Sequence, residues 1–161
     1  MPESSVRIER LLDRAHINLR GNPDDTKFVA AAEAALGQAL PIVPNTVTDG
    51  EHLVCWLGPD EWLVITSDDA TAAVASALSK SAQKMHAAVN DIGGGQVLLR
   101  IGGDDVTQLF SKGCTLDFHD SVFAAGTCAQ SGLAKANVLF VRQQDGTFLV
   151  SVRRSFSDYL E

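Results

Sequence analysis

Apolar and polar positions change period several times along the chain, and each change marks an element. Between Asn90 and Gly126 the pattern is sharpest. Gly93 to Gly95 breaks the chain, and Val97 to Ile101 then forms an apolar run suited to a buried strand. Gly102-Gly103, Asp104 and Asp105 turn the chain into a short helix that stops at Gly113. A longer helix is predicted where Phe28, Ala32, Leu36 and Leu40 recur every four residues beside Ala31, Ala35 and Ala39. Asn22 as side-chain cap and Pro23 in the first turn predict its start, with Asp24 and Asp25 following, and Pro41 and Pro44 predict its end. Ala70, Ala73, Val74, Ala77, Leu78 and Met85 keep helical spacing behind a cap at Ser67 or Asp68. Ile8, Leu11, Leu12 and Ala15 keep it too, so residues 1–15 read as a helix or as a docking arm that orders by packing on something else.

The remaining periodic stretches read as strands: His16 to Arg20, His86 to Ile92, Thr127 to Leu133, Ala136 to Arg142 and Phe148 to Arg153. Asp145-Gly146 is the last hairpin turn, and Ser155 caps a short terminal helix ending at Tyr159 and Leu160. HLVCWLGPDEWLVIT at 52–66 reads as a hairpin around Gly58-Pro59-Asp60-Glu61, whose proline suits a type I turn. If Leu57 faces Trp62, then Leu53, Cys55, Leu57, Trp62 and Val64 share one face, and Val54, Trp56, Leu63 and Ile65 the other. Both faces are apolar, which predicts a cover on each: the hairpin's own helices on one side, another lobe or another chain on the other.

An offset of about 80 residues lays Leu19-Arg20 on Leu99-Arg100 and Asp24-Asp25 on Asp104-Asp105. Further on, Trp62-Leu63-Val64 falls against Phe148-Leu149-Val150. The expected fold class is therefore α+β: two pseudo-repeated strand-helix-hairpin-helix lobes, about 16–85 and 96–161, sharing a core within one domain at 16–161 behind an arm at 1–15.

Composition narrows the choice of partner. The 161 residues carry a formal net charge of -7, which opposes general affinity for nucleic acid or an anionic membrane surface. Hydrophobic residues at 45% and charged residues at 20% argue against extended disorder. Cys55, Cys114 and Cys128 are widely spaced and form no CxxC pair, so neither a disulfide framework nor structural zinc is expected, and a reducing cytoplasm fits. The N-terminal stretch lacks a signal-peptide core, and no apolar run approaches membrane-spanning length, so a soluble chain is expected.

Candidate chemistry is thin. The triple glycine is followed by a strand and by no Lys-Ser or Lys-Thr, unlike a phosphate loop. The acidic pairs at 24–25, 68–69 and 104–105 each open a helix, where a first-turn carboxylate already has a structural task. His119 with Asp117, Asp120 and Cys114 is the nearest approach to a metal site or a thiol/imidazole pair, but no second histidine or cysteine completes a ligand pattern. Cys128 and Ser131 lack a nucleophile elbow, and His16, His52 and His86 lie in or beside strands. Trp56 and Trp62 suit packing better than stacking on a planar ligand. No catalytic, cofactor-binding or metal residue is expected in this chain.

INLRG at 17–21, LGQALP at 36–41, LGPDEWLV at 57–64, KGCTLDFH at 112–119 and RSFSDYL at 154–160 together resemble the gamma subunit of bacterial heterotetrameric sarcosine oxidase. Alanine at 124 and 125 and serine at 131 differ from that pattern, which usually has proline in the first stretch and threonine at the second. The resemblance implies a fold related to the folate-binding aminomethyltransferases. It further implies a non-catalytic subunit of a cytoplasmic complex that demethylates sarcosine oxidatively to glycine and passes the one-carbon unit to tetrahydrofolate. In such a complex this chain would pack directly on the alpha subunit, with beta and delta subunits beside it, and FAD, FMN, NAD, zinc and the folate would sit on other subunits. Two other readings remain open at the level of sequence: a free-standing folate-binding or one-carbon-transfer protein of the same fold, and a self-associating scaffold that forms a homo-oligomer when isolated.

Overall fold

The computed structural model describes residues 5–161. In chain order its elements are β1 (Arg7–Leu11), β2 (Arg14–Arg20), α1 (Thr26–Leu36), β3 (Val47–Asp49), β4 (Leu53–Gly58) and β5 (Glu61–Ser67). After these come α2 (Thr71–Ser81), β6 (Ala88–Asp91), β7 (Gln96–Gly102), α3 (Val106–Ser111), β8 (Cys128–Leu133), β9 (Ala136–Arg142), β10 (Phe148–Arg153) and α4 (Arg154–Leu160). The architecture is mixed α+β with two sheets, ordered β1-β7-β10-β9-β8 and β3-β4-β5-β2-β6. Two compact units contain them, one formed by Asp13–Gly94 and the other by Met1–Leu12 with Gly95–Glu161. Among the described residues, no helix is long and apolar enough to cross a membrane.

In the 13–94 unit, α1 and α2 cover one face of the sheet. Phe28, Ala32 and Leu36 of α1 and Val74 and Leu78 of α2 are buried in one cluster with Ile17, Leu19, Val54, Trp62 and Val64 from the strands. Each large side chain there gains about 1.5–3 kcal/mol from leaving water. Trp62 is fully buried, stacks at a tilt 5.8 Å from Phe28, and donates its indole N–H to the Pro41 carbonyl at 2.7 Å. That bond satisfies the ring's polar atom and fixes the loop after α1.

Helix boundaries follow cap chemistry more closely than the proline positions predict. Asp25 caps α1, its side chain accepting from the Lys27 N–H at 2.9 Å, while Asn22 accepts from the Asp24 N–H one turn earlier. Asn22-Pro23 therefore builds the preceding turn and does not begin the helix. At the other end Gly37 adopts φ 68° and donates to the Glu33 carbonyl at 2.8 Å, so the helix stops before Pro41. The helix after β5 begins as a 3₁₀ turn at Asp68–Ala70 and ends at Ser81, short of Met85.

The hairpin forms where expected, with its register one step away. Trp56 pairs with Trp62 and Leu53 with Ile65, and an irregularity between Trp56 and Gly58 absorbs Leu57. The helix-covered face is thus Val54, Trp56, Trp62 and Val64, and the opposite face Leu53, Cys55, Leu63 and Ile65. These last four are at most 8% exposed.

In the other unit the core is aromatic. Phe110 of α3, Phe118 and Phe123 of the following loop, Phe140 of β9 and Phe148 of β10 have ring centroids 5.0 to 6.1 Å apart, mostly edge to face. Arg142 holds that loop to the sheet: it donates to the Phe118 carbonyl at 3.1 Å, pairs with Asp120 at 2.7 Å and lies 5.0 Å over the Phe148 ring. The N-terminal segment corrects the helical reading, because Arg7–Leu11 is a strand with Ile8 opposite Ile101 and Leu11 opposite Leu98 on β7. Pairing with an exposed sheet edge outweighs a weak helical period in so short a segment. Arg10 then ties β1 to α4 through Ser157 at 2.8 Å, Asp158 at 2.9 Å and Glu161 at 2.8 Å.

Candidate functional site

The residues singled out for chemistry are dispersed by the fold. His119 is exposed, its ring bonded to the Ser121 hydroxyl at 2.8 Å and its backbone N–H to Asp117 at 2.9 Å. Asp120 is engaged by Arg142. Cys114 points into the aromatic core and meets Ser131 at 3.6 Å, which joins two residues that sequence reasoning kept apart. Cys55 and Cys128 are buried and take part in no disulfide. Among the described residues no group of three or more His, Cys, Asp or Glu is arranged to hold a metal ion.

The other histidines have separate fates. His52 is buried with Nδ1 2.9 Å from the Thr66 hydroxyl, and His86 is exposed. His16 is fully buried on β2, and burial pushes its pKa from 6.5 down to about 4, with Asp91 pulling weakly the other way. It is neutral at neutral pH. Of the carboxylate pairs, Asp25 caps α1, Asp105 bonds the Ser5 hydroxyl at 3.1 Å through its N–H and its carboxylate without capping α3, and the Ser67 hydroxyl keeps Asp69 below the ordinary aspartate range.

Three of the hollows among the described residues bear on function. One of about 800 Å³ holds Arg7, Arg100, Glu9 and Asp104, whose charges offset and select neither anion nor cation. A second, of about 430 Å³, lies where Arg20, Asn22, Asp24 and Asp60 meet beside His86. Its arginine is already committed, since Arg20 donates to both carboxylate oxygens of Asp60, at 3.2 and 3.0 Å. The third, of about 330 Å³, is an apolar groove built from Ile8 of β1, Leu109 and Phe110 of α3, the Gly113 and Ala134 turns, and Tyr159 and Leu160 of α4. Sequence reasoning missed it, because its lining comes from five separated segments, Ile101 of β7 among them. The one signal available was Ala134, which sits with φ 51° in a two-residue turn where glycine or asparagine is usual.

The ordered motifs converge on joints of the fold. INLRG and LGPDEWLV meet side by side: Asn18 donates to Glu61 at 2.9 Å, Arg20 holds Asp60, and the Gly21 N–H donates to the Asp60 carbonyl at 3.0 Å. KGCTLDFH contributes Cys114, Leu116 and Phe118 to the aromatic core. RSFSDYL supplies Ser157 and Asp158 to Arg10. Residues 20–161 match the family model described as sarcosine oxidase, gamma subunit family. The chain belongs to that family.

As a sarcosine oxidase gamma subunit family member it is 26% identical over 157 residues to the sarcosine oxidase subunit gamma of Corynebacterium sp. (strain P-1), spanning 96% of this chain and 76% of that one. It is 28% identical over 157 residues to the subunit of the same name from Arthrobacter sp, with the same coverage of each. A chain in the structure of heterotetrameric sarcosine oxidase from Corynebacterium sp. U-96, solved in complex with pyrrole 2-carboxylate, superposes with a TM-score of 0.89 at 25% identity. That match covers 99% of this chain and 81% of the other. The aminomethyltransferase T of the glycine cleavage system from Bartonella henselae shares the fold, with a TM-score of 0.70 at 14% identity over 98% of this chain and 44% of that one.

Proposed function

We propose that this gamma subunit family member is a non-catalytic subunit of a heterotetrameric sarcosine oxidase-type complex in the cytoplasm, docking on the large alpha subunit with beta and delta subunits completing the assembly. In this reading sarcosine is demethylated oxidatively to glycine, and the one-carbon unit passes to tetrahydrofolate, on the other subunits. Those subunits carry FAD, FMN, NAD, zinc and the folate. The observation that carries the reading is the near-complete likeness to a chain of a heterotetrameric sarcosine oxidase, spanning 99% of this chain at a TM-score of 0.89. A second supports it: the polar side chains of the shared motifs are spent on internal joints such as Arg20–Asp60 and Arg10–Ser157.

The test is co-expression of the tagged chain with the alpha, beta and delta subunits of a sarcosine oxidase complex. Retention of those subunits through affinity and size-exclusion steps, with sarcosine-dependent hydrogen peroxide formation by the retained complex and none by the lone chain, is expected. Failure to retain them refutes the reading. Binding of tetrahydrofolate by the lone chain at micromolar concentration, read as quenching of half-buried Trp56, would favour a free-standing folate-binding protein instead.

A further inference from the structure

Of the exposed large apolar side chains in the unit containing α3 and α4, Leu12, Val122 and Phe156 lie outside the apolar groove and the other three share it. Ile8, Leu109 and Tyr159, exposed at 39%, 41% and 52%, all line the apolar groove of about 330 Å³. Three such side chains meeting in one apolar hollow suit a contact surface better than the three that stand apart. The groove is also preformed. Its floor, Phe110, is locked in the ring cluster, and its far wall is fixed by the Ala134 N–H donating to the Gly113 carbonyl at 2.7 Å. Ala134 holds a left-handed backbone that costs an alanine strain which a glycine would avoid, and it places a methyl-bearing residue in the lining.

Charge at the rim says what enters. Lys112 lines the groove, and Lys135 follows Ala134 in the exposed turn. Neither lysine is ion-paired with another described residue, on a chain whose net charge is -7. Unspent cations beside an apolar slot on an acidic protein favour a segment that brings its own carboxylates.

We infer that this groove receives a segment of another subunit of the complex, in which apolar side chains fill the slot beside Leu109 and Tyr159 and a carboxylate meets Lys112 and Lys135. The assignment rests on the subunit reading above and names the surface that reading uses. A stable interface buries roughly 800 Å² per partner, so a groove of this size is the anchor of a larger contact.

Co-expression with the other subunits of the complex tests it, with four tagged forms compared: wild type, Leu109→Glu, the double variant Lys112→Glu/Lys135→Glu, and Val122→Glu, which is 60% exposed and outside the groove. Leu109→Glu is expected to lower retention of the other subunits roughly tenfold or more. The lysine double variant is expected to lower it several-fold at low salt and to abolish the salt dependence seen in wild type. Val122→Glu is expected to bind as wild type does, and all forms to melt at similar temperatures when isolated. Should Leu109→Glu fold poorly, the double variant, altered only at exposed positions, carries the test alone. Retained wild type with equally retained groove variants overturns the groove assignment and leaves complex membership standing. Loss of the wild type itself overturns both. A wild-type homodimer that the groove variants dissolve, in place of a complex with the other subunits, makes a second copy the occupant and overturns the inference.

Discussion

Buried His16 makes the 13–94 unit sensitive to acid, and the size of the effect follows from its position. The imidazole is fully buried on β2, with the Ile92 N–H donating to its own carbonyl at 2.9 Å and Ile65 opposite it on β5. Its pKa falls from 6.5 in the unfolded chain to about 4 in the fold, burial being the main cause. Above 6.5 both states hold the neutral ring and the group costs nothing. As pH falls below 6.5 the unfolded chain takes up a proton that the folded chain refuses, so stability is lost until the folded ring itself titrates near 4. At about 1.4 kcal/mol per pH unit, stability falls by about 2 kcal/mol from pH 7 to pH 5 and by roughly 3 kcal/mol below pH 4. Asp69 and Asp145, both held below the ordinary aspartate value of 3.8, contribute their own losses only at lower pH. Trp56 and Trp62 both lie in this unit, so urea unfolding followed by tryptophan fluorescence reports on it directly. The decisive comparison is wild type against His16→Gln at pH 7 and pH 5, which cancels the other histidines. A wild-type loss below about 0.5 kcal/mol, or an equal loss in the variant, refutes the assignment.

Three further substitutions probe the joints. Gly21→Ala would place a methyl 2.3 Å from the Phe28 ring carbons in a closed core, and a loss of about 2 kcal/mol in urea unfolding is expected, partly recovered by Phe28→Leu. Trp62→Phe removes the donor to the Pro41 carbonyl, so a loss of about 2 kcal/mol is expected together with faster proteolysis of the loop around Ile42 and Val43, both exposed. Ala134→Gly relieves the left-handed strain, and a gain of about 1 kcal/mol is expected; a loss would mean that the turn is not strained.

Strand positions were legible because continuous apolar runs such as Ala136–Arg142 and Phe148–Arg153 flank the Asp145-Gly146 turn signal. The α1 face was legible through Phe28, Ala32 and Leu36. Boundaries were less so, because several residues compete for each cap. Asp25 and Asn22 are both good caps, and only the bond to the Lys27 N–H decides between them. The hairpin register slipped because a type I turn at Pro59-Asp60 gives no warning of the irregularity at Leu57. The N-terminal strand was hidden for a different reason. RIERL carries no strong β signal of its own and becomes a strand because β7 offers it an edge. The candidate groove was the least legible feature, since its lining is spread from Ile8 to Leu160 and no local pattern joins them.

The placement of the shared motifs separates two kinds of mutational effect. INLRG meets LGPDEWLV through Asn18–Glu61 and Arg20–Asp60, and RSFSDYL meets β1 through Ser157, which is 1% exposed and accepts from Arg10. A residue whose polar group closes a joint acts on the stability of the chain, so its loss lowers the amount of chain available to assemble. Leu109, Lys112 and Lys135 close no such joint. Their side chains face outward from elements that are held by other residues, Phe110 in the ring cluster and Gly113 in the turn. Substitutions at the joints should therefore reduce thermal stability and complex yield together, while each complex that forms keeps its turnover. Substitutions at the groove should reduce complex yield and leave the melting temperature of the lone chain in place. A groove variant that lowered the melting temperature as much as Gly21→Ala does would put Leu109 among the joints, and the separation would fail.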